Sequence, residues 1–222
     1  MSVNIFHSNK LQNFNDCNFA EPTIKQELSS YANNPLNGCV LLYGAYGTGK
    51  STAVELIARD RGAAKSDIHY VHTNGSQFGE LRKSSMLVNA MQWGVINHQT
   101  PALIVDEVDI LSKENQLWLR SFIDSWQHRA LILLTTNYIV NLDGSIRDRC
   151  DCVEVCGFTA QQAAQLIHTV LAQHDIAVSR IEQQAQLELG SEDALLSLRT
   201  IGRLCDKLAL QINPPRLRVV KS

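Results

Sequence analysis

Gly44-Ala45-Tyr46-Gly47-Thr48-Gly49-Lys50-Ser51 stands between two stretches of opposite texture. Ahead of it runs Cys39-Val40-Leu41-Leu42-Tyr43, apolar and strand-like. Behind it runs Thr52-Ala53-Val54-Glu55-Leu56-Ile57-Ala58-Arg59, patterned as a helix. Strand, glycine loop, Lys-Ser and helix form the context in which such a loop wraps phosphate. Glycines let the backbone curl so that several N–H groups point at phosphate oxygens. The helix adds its positive N-terminal end. Lys50 is expected to reach the β- and γ-phosphates, and Ser51 to place its hydroxyl on Mg²⁺. Gly44 through Thr52 therefore reads as a binding loop for Mg-ATP. The two flanks make an ordinary glycine turn the poorer reading.

The 222 residues suffice for one α/β domain and a small appendage. Hydrophobic residues make up 45% and charged residues 19%, a balance that supports a globular core. A net charge of −2 argues against a general polyanion binder and confines any nucleic-acid contact to a local patch. No apolar run approaches bilayer length, and Met1-Ser2-Val3-Asn4 lacks a signal-peptide core, so a cytoplasmic setting is expected. In that setting Cys17, Cys39, Cys150, Cys152, Cys156 and Cys205 are expected to be reduced thiols. The run Cys150-x-Cys152-x3-Cys156 lacks partners at zinc-finger spacing and reads as free thiols.

Strand signals recur at 39–43, 68–72, 102–105, 131–134 and 152–155. Helical patterns lie between them, at about 21–32, 50–60, 78–96 and 115–126. Alternation of this kind predicts a parallel sheet covered by helices on both faces. From Thr159 the strand signals stop. Helices are expected over 159–173, 179–189 and 197–210, with Ser197 as an N-cap. The expected organisation is an α/β base over 1–156, a helical lid over 157–213 and a short tail over 214–222.

Asp106 and Glu107 end the apolar run Leu103-Ile104-Val105. Beside a phosphate loop, Asp106 can hold Mg²⁺ through its water shell and Glu107 can orient or deprotonate the attacking water. Asp109 reads as structural. Asn137 follows the strand at 131–134, where its amide can address the γ-phosphate or the water. Arg147 and Arg149 can neutralise charge on a γ-phosphate or stand as solvated loop charges. Arg199 and Arg203, one helical turn apart, read by spacing as a polar helix face.

These motifs in this order resemble the AAA+ ATPases, and most of all the clamp-loader branch of replication factor C small subunits and their phage counterparts. Gly44–Ser51 and Leu103–Glu107 look like Walker A and Walker B. Val71-His72-Thr73-Asn74-Gly75-Ser76 resembles the Asn-x-Ser end of the second strand, and Gln116–Phe122 the Gln-x-x-Leu-Arg helix. Asn15–Phe19 is similar to the opening segment of the phage type. Asn137 falls at sensor 1, Arg149-Cys150 at the end of the Ser-Arg-Cys motif, and Arg199 at sensor 2. The resemblance implies that Arg149 acts in trans on a neighbour's ATP, that Arg199 acts from the lid, and that Arg82 and Lys83 begin a helix facing DNA. It further implies a homo- or hetero-oligomer with ATP at subunit interfaces, and a protein partner such as a sliding clamp. Two departures stand out: Asp148 replaces the serine of Ser-Arg-Cys, and the Tyr-Arg-Pro opening is replaced by Ser8-Asn9-Lys10. The collar that follows the lid in clamp loaders is not expected within 214–222. The function implied is Mg-ATP hydrolysis that loads or remodels a partner on DNA. The alternatives are a nucleotide-gated assembly module with little turnover and a helicase-loader or transposition-regulator type of ATPase.

Overall fold

The computed structural model describes residues 11–34, 36–63, 65–73, 86–96, 101–173 and 195–212. They fall into two compact units. One is Leu11–Cys156; the described part of the other is 157–173 and 195–212.

In the first unit five strands form one parallel sheet: β1 Gly38–Tyr43, β2 Ile68–His72, β3 Ala102–Asp106, β4 Leu131–Thr136 and β5 Asp151–Glu154. Their order is β2-β3-β4-β1-β5. The helices are α1 Pro22–Asn33, α2 Lys50–Asp60, α3 Met86–Ile96, α4 Lys113–Trp126 and the single turn α5 Gly144–Arg147. The strands read as unbroken apolar runs because both faces are covered. Cys39, Leu41, Leu103, Val105, Ile132 and Leu134 pack with Leu87 and Met91 of α3 and Leu119, Phe122 and Ile123 of α4. The alternate residues Val40, Leu42, Ile104 and Leu133 pack with Ile24 and Leu28 of α1 and Val54 and Ile57 of α2.

Several boundaries differ from the sequence reading. Strand β4 continues through Thr135 and Thr136, which are buried although polar. Their hydroxyls find carboxylate partners, which is what permits the burial. Helix α4 begins at Lys113, two residues earlier than expected, because Ser112 caps it by accepting from the Asn115 N–H at 3.3 Å. Strand β5 is shifted back one residue, its register set by β1, where Asp151 pairs with Val40. The expected helix 78–96 is described only from Met86 onward.

In the second unit, helix α6 Ala160–Ala172 opens on a capping box formed by Thr159 and Gln162. Helix α7 Leu198–Ile212 opens on Ser197, whose hydroxyl accepts from the Thr200 N–H at 3.1 Å. Ala163, Ile167, Leu171, Ile201, Cys205 and Leu208 are buried. Phe158 and Leu196 exchange backbone hydrogen bonds of 2.8 Å. The helix expected over 179–189 lies outside the described residues.

Gly44 is fixed by packing as well as by backbone angle. Its φ is 136°, and a Cβ there would lie 2.4 Å from the Val155 carbonyl oxygen just past β5. Gly44→Ala is expected to cost at least about 1–3 kcal/mol from the backbone alone. Chemical denaturation of the two proteins measures it; equal midpoints and slopes would remove this account.

Candidate functional site

In an open parallel sheet, ligands bind beyond the carboxyl ends of the strands, where the connections change direction. The order β3-β4-β1 determines what meets there. Strand β1 delivers Gly44–Ser51, its neighbour β4 delivers Asn137, and β3 delivers Asp106 and Glu107 one strand further out. Tyr43 of β1 is paired with Thr136 of β4, and Leu134 of β4 with Val105 of β3, so all three strands end at one level.

The loop turns on Gly47 and Gly49, with φ of 72° and 95°. Thr48 is buried and donates its hydroxyl to the Ala45 carbonyl at 3.0 Å. Ser51 and Thr52 are exposed in the first turn of α2. Lys50, 6% exposed, donates to the carbonyls of Gly44 and Ala45 at 2.9 and 2.7 Å and to Asn137 Oδ1 at 2.9 Å. Burial draws the Lys50 ammonium down to about 8, and Asp106, Asp109 and Glu107 oppose the shift. Because Lys50 can only donate, Asn137 must turn its oxygen toward it, which leaves the Asn137 Nδ2 donor for a phosphate oxygen or a water.

Asp106 is the hub of a hydroxyl cluster. Oδ1 accepts from Ser51 Oγ at 2.9 Å and from Thr135 Oγ1; Oδ2 accepts from Tyr70 OH at 3.1 Å. Burial and the neighbouring carboxylate push the Tyr70 hydroxyl well above its ordinary value, so it stays a donor. Glu107 follows with a left-handed backbone, φ 58° and ψ 50°. Asp109 accepts from Thr136 Oγ1 at 2.7 Å and, more weakly, from the Asn137 N–H at 3.4 Å. Asp109 thus supports the asparagine from below. Tyr46 and Tyr138 meet edge to face at 5.8 Å, both half exposed, one from the loop and one from the turn after Asn137.

Lys50 is thus bonded to Asn137, and its chain neighbour Ser51 to Asp106, with Glu107 next along from β3. Arg149 is not bonded to them. Its Nε donates to Asp124 Oδ1 of α4 at 2.6 Å and its Nη1 to the Ser145 carbonyl at 2.7 Å. The bond from Arg149 holds the Asp124 carboxyl below its ordinary range. Asp148, in the place of the expected serine, is exposed. Cys150 sits with its sulfur 3.0 Å from that of Cys39, both unoxidised. Gln116 is an internal brace: it is buried, donates to the carbonyls of Leu111 and Asn141, and accepts from the Asp143 N–H. Arg199 lies in the first turn of α7, exposed, with Arg203 exposed one turn on. Arg82 and Lys83 lie outside the described residues, as do Asn74 and Ser76.

Tyr70, Thr135 and Asp124 carry no role in the sequence expectations, and Thr73 enters them only within the stretch resembling Asn-x-Ser. Each is a single polar residue whose partner lies on another element. The available signal for Thr135 was a hydroxyl inside an otherwise apolar strand. No helix among the described residues is long and apolar enough to cross a membrane.

Residues 40–157, more than half of the chain, match the family described as "ATPase family associated with various cellular activities (AAA)". Among curated relatives, a replication factor C small subunit of Haloarcula marismortui is 24% identical over 155 residues, covering 68% of this chain and 47% of its own. A probable replication factor C subunit 5 of Dictyostelium discoideum is 22% identical over 178 residues, covering 78% and 51%. The chain spans about half the length of these curated relatives. Among solved structures, a point variant of Thermotoga maritima RuvB is similar with a TM-score of 0.60 at 19% identity, covering 87% of this chain and 64% of that one. A chain of the HORMA:CdnC:Trip13 complex of E. coli MS115-1 is similar with a TM-score of 0.59 at 20% identity, covering 81% and 69%. Sheet order, phosphate loop and family match agree, and the chain belongs to the AAA family of ATPases.

Proposed function

We propose that this chain hydrolyses Mg-ATP at a site completed by a neighbouring subunit, as part of a clamp-loader-like assembly that loads or remodels a protein partner on DNA. Residues 1–156 serve as its base and 157–213 as its lid. The observation that carries the reading is the hydrogen-bonded convergence of Lys50, Ser51, Asp106 and Asn137 from three strand ends. Similarity to replication factor C subunits supports the choice of assembly.

Each residue has a distinct task. The backbone of Gly44–Ser51 and the Lys50 ammonium bind the phosphates of ATP. Ser51 Oγ and Asp106 Oδ1, 2.9 Å apart, are hard oxygen donors of the kind Mg²⁺ takes. They would hold the ion largely through water, and its charge would be spread over the β- and γ-phosphates. Glu107 accepts a proton from the attacking water. Asn137 Nδ2 aligns that water or the γ-phosphate. Arg149 acts on the ATP of the next subunit, and Arg199 on its own from the lid. Arg82 and Lys83 contact DNA phosphates.

A second reading, a nucleotide-gated assembly module with little turnover, is favoured by one observation: the Arg149 guanidinium is tied to Asp124 of its own chain. Steady-state ATP turnover with and without primed DNA, across protein concentration, separates the two. Turnover that rises with concentration and DNA supports the first reading. ATP-dependent assembly with negligible turnover supports the second.

Lys50 also makes binding pH-dependent. Phosphate would raise its pKa from the value of about 8 in the free protein. The affinity owed to its charge is thus fully present below that value and is lost as pH rises, by up to about tenfold per pH unit, until the bound-state pKa is passed. Calorimetric titrations with ATP on either side of that value should show proton uptake only on the alkaline side. Lys50→Arg should remove the dependence, since guanidinium stays charged. A pH-flat affinity in the unsubstituted protein would refute the assignment.

A further inference from the structure

Glu107 is the single non-glycine residue with a left-handed backbone among the described residues. That conformation is disfavoured for a residue with a Cβ, so the surroundings have to hold it. Two buried threonines do so from opposite sides of the peptide. The Glu107 N–H donates to Thr135 Oγ1 at 3.1 Å. The single proton of the Thr73 hydroxyl is shared between the carbonyls of Glu107 and Asp106, each 2.8 Å from Thr73 Oγ1. Having accepted from Glu107, the Thr135 hydroxyl turns its proton to Asp106 Oδ1. One hydroxyl therefore links the backbone of one carboxylate residue to the side chain of the other.

This clamp has a geometric effect. A residue that continued β3 in extended form would keep the strand's alternation, and its side chain would point to the sheet face opposite that of Asp106. The left-handed turn at Glu107 breaks that alternation and feeds the chain straight into the 3-10 turn Val108–Ile110. The direction in which the Glu107 side chain departs is thus set by φ and ψ, and these are set by Thr73 and Thr135. Neither threonine is exposed, at 6% and 2%, which is compatible with a role inside the wall and not on the ligand.

We propose that Thr135 and Thr73 are positioning residues for the hydrolytic water: they aim the Glu107 carboxylate by fixing its backbone. The proposal rests on the reading of Glu107 as the base. Asp106 keeps Ser51 and Tyr70 as partners when Thr135 is lost, so nucleotide binding is spared while the chemical step suffers.

The test uses the full chain and compares Thr135→Val, Thr135→Ser, Thr73→Val and Glu107→Gln by kcat and KM for ATP, binding of a fluorescent ATP analogue, and thermal melting. Thr135→Val is expected to lower kcat by about 10²-fold, the scale of a misplaced catalytic group, with KM within about twofold. Thr135→Ser keeps the hydroxyl and should recover most of kcat. Bulk destabilisation would not give that split between kcat and KM, nor the rescue. Should Thr135→Val fail to fold, Thr73→Val carries the same expectation from the other side of the peptide. Valine variants with kcat within twofold of the parent, beside an inactive Glu107→Gln, overturn the clamp and leave the base intact. A Glu107→Gln protein with normal turnover, or a parent with none, removes the base and this proposal together.

Discussion

Replacing Glu107 with Gln is expected to leave a protein that binds ATP and keeps it. Turnover should fall by roughly 10²–10⁴-fold, the range for removal of a general base, while nucleotide affinity stays nearly unchanged. The amide has the shape of the carboxylate and can still accept a hydrogen bond, but it cannot take the proton of the attacking water. The backbone clamp from Thr73 and Thr135 does not involve the Glu107 side chain, so the fold around the site should persist. Filter binding and single-turnover assays on γ-labelled ATP measure the two quantities separately. Unchanged hydrolysis would strike Glu107 from its role.

Arg149→Ala is expected to have an effect as large or larger. An arginine that neutralises charge on a transferring phosphoryl group contributes about 10³–10⁵ in rate. Two of the five guanidinium N–H groups of Arg149 are committed to Asp124 and Ser145, leaving three for a phosphate of the adjoining subunit. Mixing decides whether the action is in trans. Arg149→Ala chains retain an intact phosphate loop, and Lys50→Ala chains retain an intact arginine. Each alone should be inactive, and the mixture should regain turnover. A mixture as inactive as its components, under conditions where the parent assembles, would confine Arg149 to a structural ion pair.

The parallel sheet could be read in advance because its strands are buried on both faces, and a continuous apolar run such as Leu103-Ile104-Val105 has few other uses. The phosphate loop was legible for the same local reason: glycines, Lys50 and Ser51 are contiguous. The position of Asp106 and Glu107 was legible because a charged pair closing a buried strand can only lie at the sheet edge. What escaped depends on partners distant in sequence. Thr135 resembles the end of a strand until Asp106 and the Glu107 N–H are seen to use its hydroxyl. Asp124 resembles any exposed helix charge until Arg149 reaches it across 25 positions. The left-handed turn at Glu107 has no signature in residue type, since nothing about a glutamate announces it.

The three acceptors around Lys50 turn nucleotide capture into an exchange. In the proposed site a γ-phosphate would not meet an idle cation; it would compete with two carbonyls and an amide for the same protons. The net gain is the difference between a charge-assisted bond to phosphate and the bonds given up, so it is far smaller than the attraction itself. A weakly charged anion offers little over those neutral acceptors. In the proposed site the loop would therefore discriminate by charge density, and Lys50 would give up its bond to Asn137 Oδ1 on taking a phosphate.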